Sequence, residues 1–291
     1  MMTASSIEVH NIHFEKKVEK VKVIDRSLHF TKYTGEMKFA DGRVKEAMFE
    51  EAKNVDNEYM EKFFSKMVTV AALIEKHLPV RLPIAAFISP PTLIYDLQKE
   101  NSGFPLSYIL KHHDNLLDLT QRVKLCSSAV RVMSELHQAD IFHGALIAKN
   151  FFLNFIRIND GVKEYELVFN GPSGLLFLGK SDCSVSLIDY DLNAPELAFT
   201  RKLTKESGVF NIGRLFEQIL KTEILKTYQK NAPEDPPALR EMRQMIARAT
   251  RPNPYHRPTT NGIVMMIRET LKILPPSSAP VNFVHYDQFA I

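Results

Sequence analysis

Two short segments hold the side chains of this sequence that are best suited to chemistry. The segment 141–153 reads IFHGALIAKNFFL and contains His143 and Asn150, and the segment 186–197 reads SLIDYDLNAPEL and contains Asp189. The amide oxygen of Asn150 and the carboxylate of Asp189 are hard oxygen ligands of the kind that Mg²⁺ takes in proteins. Two such ligands form a weak site unless oxygens from a bound molecule complete it. The histidines lack the spacing to cysteines or carboxylates that a metal centre requires.

A helix and a strand are predicted on either side of the first segment. The helix is indicated by an apolar stripe at helical spacing, formed by Leu119, Val123, Cys126, Val130 and Met133. The strand is indicated by the apolar run that begins at Phe151. The position of Cys126 on the stripe favours a buried thiol over a disulfide with Cys183.

The first third of the chain has the pattern of an antiparallel sheet. Between residues 9 and 49, valines and aromatics alternate with charged residues, which predicts half-exposed strands with turns at Thr34-Gly35 and Asp41-Gly42. Residues 56–76 have the apolar stripe of an amphipathic helix. A short apolar strand at 93–95 and a polar connection at 98–103 follow.

Further strands are predicted after Asn150. The stretches 164–169 and 175–179 surround the turn sequence NGPSG and predict an additional β-hairpin. This hairpin could be a surface decoration, which we favour, or a lid or docking arm.

The first segment resembles the catalytic loop of protein kinases, H-R-D-L-x-x-x-N. It keeps His143, Leu146 and Asn150, and it has Gly144 and Ala145 in place of the Arg and the catalytic Asp. In that family the Asp takes the proton of the substrate hydroxyl and the Asn holds a metal ion. A methyl group cannot accept a proton, so the resemblance implies a kinase-like domain that does not phosphorylate.

The second segment resembles two further kinase motifs. Asp189 would be the metal-binding Asp of D-F-G, and Glu196 ends a match to A-P-E. Only two residues separate these motifs, so the activation segment is expected to be essentially absent. Gly208 stands where a later helix of the family carries an Asp. The sequence RPNPYHRPT at 251–259 is similar to D-P-x-x-R-P-T, and the resemblance implies an ion pair between Arg257 and Glu196.

The pattern HGALIAKN, together with YMEKFF at 59–64, is most similar to the pseudokinase domain of Janus kinases, a tyrosine-kinase family. Aligning on these residues places Glu50 where kinases carry the β3 Lys and Lys66 where they carry its Glu partner. A Glu at this position would repel the ATP phosphates that a Lys attracts. Two unit charges ~4 Å apart interact by about 4 kcal/mol at an effective dielectric of 20. Glu50 and Lys66 are expected to form a reversed ion pair or to be two solvated side chains.

Two other parts of the ATP site of the family, the Gly-rich loop and the hinge, correspond to bulkier residues in this sequence. The stretch 27–35 has one glycine in place of the Gly-rich loop, which favours a plain hairpin. The hinge between the lobes would be formed by Tyr95, Asp96 and Leu97, with Tyr95 at the back of the cleft.

The resemblance implies an α+β, bilobal protein-kinase-like fold, with a small antiparallel β-sheet lobe that carries one helix and a larger, mainly helical lobe. We expect a flexible tail at 1–8, the small lobe at 9–97, the large lobe at 98–274 with an insertion at 155–185, and a C-terminal tail at 275–291.

Composition excludes several classes of partner. A net charge of +3 gives no reason to expect nucleic-acid binding, and no apolar run approaches the ~18 residues of a membrane span. The N-terminal sequence lacks the apolar core of a signal peptide. We therefore expect an intracellular, cytoplasmic protein.

The function these patterns indicate is that of a pseudokinase. It would act as a scaffold or allosteric regulator through contact with another signalling protein, such as a kinase, without a small-molecule substrate or a bound cofactor. The alternative is a nucleotide-binding switch or weak tyrosine kinase that binds Mg-ATP through Asn150 and Asp189.

Overall fold

A computed structural model describes residues 20–26, 30–38, 42–52, 85–88, 91–96, 104–114, 117–143, 146–159, 162–169, 175–177, 193–200, 202–226 and 234–275. The chain is mixed α+β, with a small antiparallel sheet and several helices. The described residues divide into two compact units, the first comprising those up to residue 96 and the second those from residue 104 onwards. The predicted helix 56–76 and the predicted N-terminal tail lie outside the described residues. Of the predicted C-terminal tail, only Pro275 is described.

The first unit, here called the sheet unit, contains five antiparallel strands in the order β1-β2-β3-β5-β4. These strands are β1 (Lys20–Arg26), β2 (Phe30–Lys38), β3 (Val44–Ala52), β4 (Ala85–Ile88) and β5 (Pro91–Asp96). In β1 and β2, Arg26 lies opposite Thr31, so the two strands form the plain hairpin that was predicted in place of a Gly-rich loop.

The middle of the central strand β3 is buried on both faces. Ala47 and Phe49 point to one face and Met48 and Glu50 to the other, and none of the four is more than 6% exposed. The ring of Tyr33 stacks on that of Phe49 with centroids 5.1 Å apart. The prediction of half-exposed strands is therefore wrong for this part of β3, because alternation between charged and apolar residues does not reveal that both faces are covered.

One of the two predicted turns in this sheet is wrong. Thr34 and Gly35 lie inside β2, where they pair with Met48 and Ala47 of β3. Gly35 also faces β1 at a shift of register next to Lys20, and glycine inside a strand commonly marks such an irregularity. In the connection between β2 and β3, Gly42 has φ +84°, a left-handed conformation that favours glycine.

The second unit, here called the helical unit, holds the remaining elements. Its strands are β6 (Phe104–Pro105), β7 (Ile141–His143), β8 (Phe151–Asn159), β9 (Val162–Phe169) and β10 (Leu175–Phe177). Its α-helices are α1 (Leu106–His112), α2 (Leu119–Gln138), α3 (Leu197–Thr200), α4 (Lys205–Lys226), α5 (Pro237–Ala249) and α6 (Thr260–Lys272).

Helix α2 is the centre of this unit and packs against α4 and α6. It begins with a capping box between Asp118 and Gln121, whose side chains each accept a hydrogen bond from the other residue's backbone N–H. The predicted stripe is buried from Val123 to Met133, and the Cys126 thiol is free and fully buried. Helix α6 begins after Thr259, whose hydroxyl accepts a hydrogen bond from the Gly262 N–H and caps the helix.

The additional hairpin is formed by other strands than those predicted. Strand β9, which contains the stretch 164–169, pairs with β8, and β10 pairs with β7 instead of with β9. The prediction was wrong because it joined two neighbouring apolar stretches across the NGPSG sequence. The long apolar run from Phe151 continues far enough to supply the partner of β9.

His137 lies where α2, α4 and α6 meet. It is 4% exposed, and its Nδ1 lies 2.7 Å from the Thr260 hydroxyl. A Cβ at position 208 would stand 2.7 Å from Nε2, so Gly208 allows the ring to approach α4 closely. Burial, and then the positive charge of Lys205, lower the pKa of His137 to about 4.

We predict that the protein loses stability as the pH falls from about 6.5 to 4. In this range the unfolded chain binds a proton at His137 that the folded chain excludes, so stability is complete above pH 6.5 and falls by about 3 kcal/mol by pH 4. Urea unfolding of wild type and His137→Gln across this range isolates the contribution. The matched control is His256→Gln at an exposed site. An unchanged pH slope in His137→Gln would contradict the assignment.

Candidate functional site

Glu50 and Tyr95 occupy one face of the sheet unit. Glu50 pairs with Leu93 across β3 and β5, and Met48 pairs with Tyr95, so the alternation of strands places Glu50 and Tyr95 on the same side. Glu50 is 2% exposed and Tyr95 is 1% exposed. A carboxylate therefore lies inside the sheet unit beside a buried phenol.

The burial of Glu50 corrects one of the two expectations for this residue. A solvated Glu50 on an exposed face is wrong, because β3 is a central strand covered on both faces. Lys66, the other half of the expected reversed ion pair, lies outside the described residues. Burial raises the pKa of Tyr95 well above its ordinary value, and the negative charge of Glu50 raises it further.

The residues predicted to form a hinge begin inside a strand. Tyr95 and Asp96 are the last two residues of β5, and Leu97 lies outside the described residues. Met48 and Ala47 pair with them, so Tyr95 is fixed by the sheet.

We predict that stability also falls above pH 10, because the unfolded chain can ionise Tyr95 there while the folded chain holds the phenol neutral. The stability that Tyr95 provides is therefore complete below its unfolded pKa and is lost as the pH rises. Tyr95→Phe should flatten the decline between pH 9 and 11 in urea unfolding. Tyr255→Phe, at a 91% exposed site, is the control. If the stability of the two variants declines equally between pH 9 and 11, Tyr95 is not the source of the decline.

The segment that resembles a catalytic loop is positioned by α2, β7 and β8. Asp140 turns the chain out of α2 with φ +54°, and β7 then ends at His143. Gly144 and Ala145 lie outside the described residues. Asn150 ends a 3-10 helix over Ala148–Asn150, where its backbone N–H donates to the carbonyl of Ile147 at 2.9 Å.

Strand β8 starts immediately after Asn150, as predicted. Phe151 is fully buried and meets the ring of Phe169 edge to face at 5.0 Å. This packing fixes the backbone next to Asn150, whose side chain is half-buried. Asp189, the other predicted cation ligand, lies outside the described residues, so the described geometry contains one of the two ligands.

Glu196 and Arg257 form the best-defined polar site in the helical unit. Arg257 Nη1 lies 2.6 Å from Glu196 Oε1, and Nη2 lies 2.8 Å from Oε2, which is a two-point contact. The Arg257 side chain is fully buried, and that of Glu196 is 15% exposed. The ion pair that the motif resemblance implied is therefore present.

Every N–H donor of the Arg257 guanidinium has an acceptor. Besides the carboxylate, Nε donates to the carbonyl of Arg251 at 2.7 Å, Nη1 to that of Glu206 at 3.0 Å, and Nη2 to that of Pro252 at 3.0 Å. A guanidinium has five such donors. The guanidinium carbon also lies 4.9 Å from the ring centroid of Phe210. With all its donors used, Arg257 connects parts of the fold and has no donor left for a ligand.

The local sequence explains how this pair assembles. The Asn253 side chain accepts a hydrogen bond from the Tyr255 N–H at 3.0 Å and caps the 3-10 helix Pro254–His256. The turn aims the carbonyls of residues 251 and 252 at the guanidinium. Glu196 immediately precedes α3, and Leu197 packs in a buried apolar cluster with Phe210.

Sequence reasoning missed the two buried basic residues of α2. His137 lies four residues after Met133 on the apolar stripe, and Arg122 lies on the same helix with no exposed surface. Arg122 Nη1 is 2.7 Å from Asp114 and 2.5 Å from the carbonyl of Ile219. A basic residue at a position that the helical period places inside is the signal that could have identified them.

The described residues contain no group of three or more His, Cys, Asp or Glu side chains placed to hold a metal ion. None of the helices in this part of the chain combines the length and apolar character that a membrane crossing requires. No protein-family model matches the sequence, and no curated protein matches it either.

We predict that Arg257→Ala lowers the free energy of unfolding by about 3–5 kcal/mol, because it leaves the Glu196 carboxylate and three carbonyls without their donor. Arg257→Lys should recover little of this, since an ammonium cannot reach all these acceptors. Denaturant unfolding measures both. Arg248→Ala, at an exposed site of α5, should change stability by no more than about 0.5 kcal/mol. Equal losses in the Arg257→Ala and Arg248→Ala variants would show that the pair contributes nothing.

Proposed function

We propose that this chain is a bilobal protein-kinase-like domain, a pseudokinase similar to those of Janus kinases, that regulates or scaffolds another signalling protein without transferring phosphate. In this proposal the sheet unit is the small lobe and the helical unit is the large lobe. The partner would be a protein such as a kinase, and the regulated step would be carried out by that partner.

The observation that carries the proposal is the burial of Glu50 in β3. The resemblance aligns this position with the Lys that neutralises the α- and β-phosphates of ATP in kinases. A buried carboxylate there would repel phosphates more strongly than a solvated one, because charges interact more strongly where water is excluded. Tyr95 beside it adds a neutral phenol and no positive charge.

The Glu196–Arg257 pair supports the kinase-like part of the proposal. It joins two motif positions that are 61 residues apart in the sequence, at the distances of a two-point ion pair. A structural pair of this kind can be retained when the chemistry is lost, because it contributes to folding and takes no part in phosphate transfer. Ala145 supports the inactive part, since its side chain cannot serve as a general base.

Two exposed aromatic side chains support action through protein contact. Phe199 is 88% exposed on α3, and Tyr255 is 91% exposed two residues before Arg257. Aromatic residues are enriched in protein interfaces relative to the rest of the surface.

Thermal melting with and without millimolar Mg-ATP tests the proposal. A ligand at ~100 times its dissociation constant stabilises a protein by ~2.7 kcal/mol, a shift of a few degrees for a chain of this size. We predict no shift for the wild-type protein. A shift that disappears in Asn150→Ala would contradict the proposal and favour the nucleotide-binding switch. Lys221→Ala, at an exposed site of α4, controls for nonspecific effects of substitution.

A further inference from the structure

Two nearly fully exposed aromatic side chains mark one part of the helical unit. Phe199 on α3 and Tyr255 on the 3-10 helix Pro254–His256 are 88% and 91% exposed. In the described part of the chain, the other exposed large apolar side chains reach 55% at most. Single exposed apolar residues are common on protein surfaces, whereas exposed apolar groups that occur together mark interaction sites.

The ion pair of Arg257 holds the backbone of both aromatic residues together. Phe199 lies one helical turn after Glu196, and Tyr255 lies two residues before Arg257. The two contacts between the carboxylate and the guanidinium measure 2.6 and 2.8 Å. A standard interface buries about 800 Å² of each partner, over ~20–30 residues. One partner can therefore cover both aromatic side chains.

Local contacts fix the backbone that carries both rings. The Phe199 N–H donates to the carbonyl of Glu196 at 3.1 Å, and Leu197 anchors α3 in a buried apolar cluster. The Asn253 side chain accepts a hydrogen bond from the Tyr255 N–H and caps the turn. A preformed contact surface loses less conformational freedom on association, which favours the docking of a partner.

The sequence around these rings is basic. Residues 197–205, LAFTRKLTK, and residues 242–268 contain no Asp or Glu. The basic residues of the two stretches, apart from His256, are Arg201, Lys202, Lys205, Arg243, Arg248, Arg251, Arg257 and Arg268. Within the described residues, Lys202, Arg248 and Arg251 are exposed and form no ion pair.

The acidic residues of the adjoining segments leave this positive charge in excess. The Glu196 carboxylate is bound by Arg257, and the Asp140 carboxylate lies 3.5 Å from the Lys205 ammonium. Glu206 is exposed at the start of α4. The three exposed cations without an ion pair outnumber this carboxylate, so the surface around the rings is positive overall.

We propose that an acidic segment of a partner protein docks on this aromatic–basic surface, formed by Phe199, Lys202, Arg248, Arg251 and Tyr255. Apolar side chains of the segment would pack on the two rings, and its carboxylates would lie beside the three cations. Aromatic and arginine side chains are enriched in protein interfaces, and complementary charge selects the partner. The inference rests on the proposed function only in that the chain acts through protein contact, and it does not depend on whether the chain binds ATP.

Rings and cations together also occur on surfaces that bind single-stranded nucleic acid, but the number of cations here favours a protein. The affinity of a protein for nucleic acid comes mainly from neutralised phosphates, about 6–10 of them in a typical footprint. Three exposed cations and a net charge of +3 supply too few for such a footprint.

The test is the selection of random linear peptides, displayed on phage, on the immobilised full chain. We expect the recovered peptides to be enriched in Asp and Glu beside apolar residues, and a synthetic copy of one to bind the chain in solution. Its affinity should weaken about tenfold or more in Phe199→Ser and in Lys202→Ser, because each change removes a contact group. Leu225→Ser and Lys221→Ser, at exposed sites of α4, are the matched controls and should bind as the wild type does.

Recovery of no peptide above the unselected background would overturn the proposal. Peptides without acidic enrichment, or peptides that lose affinity equally in the α4 controls, would also overturn it, while the proposed action through protein contact would stand. Binding of a fluorescent oligothymidylate that is lost in Lys202→Ser would identify nucleic acid as the ligand instead. Self-association that is lost in Phe199→Ser, measured by sedimentation, would identify a second copy of the chain. A melting shift with Mg-ATP counts against the proposed function alone.

Discussion

A central constraint in the helical unit is the buried guanidinium of Arg257, whose N–H donors all have acceptors. Desolvating an arginine costs several kcal/mol unless its charge and its donors are all matched. Arg257 meets this condition with a carboxylate and three backbone carbonyls, and these acceptors come from the starts of α3 and α4 and from the turn before α6. Arg122 meets the same demand on α2 through Asp114 and the carbonyl of Ile219. The helices are thus joined by polar contacts that tolerate little change in geometry, in addition to apolar packing.

The sheet unit buries a residue of the opposite charge to Arg257. Its central strand carries a buried carboxylate, Glu50, with the phenol of Tyr95 on the same face. A site that recognises triphosphates needs positive charge or free amides, and this face offers a carboxylate. In the proposed pseudokinase, the ion pair at Arg257 would preserve the architecture, and the acidic residue at position 50 would disfavour the binding of nucleotide phosphates.

Local patterns predicted the elements well where one face of a helix is buried. The stripe from Val123 to Met133 and the start of β8 could be predicted because the spacing of apolar residues is a local property of the sequence. Strand pairing was predicted wrongly, since β9 pairs with β8 directly before it and β10 pairs with the distant strand β7, and the local pattern did not distinguish these pairings from a β9–β10 hairpin. The burial of Glu50 could not be predicted either, because the residue pattern of a strand does not indicate what covers its second face. The ion pair at Arg257 came from motif resemblance and not from periodicity.

Transfer of the γ-phosphate is the most direct measurement of the central claim. The full chain would be incubated with γ-labelled ATP, Mg²⁺ and a mixed peptide substrate, and incorporation would be compared with that of heat-denatured chain. The account predicts no incorporation above the denatured control. Incorporation that requires Mg²⁺ and is abolished in Asn150→Ala would contradict it.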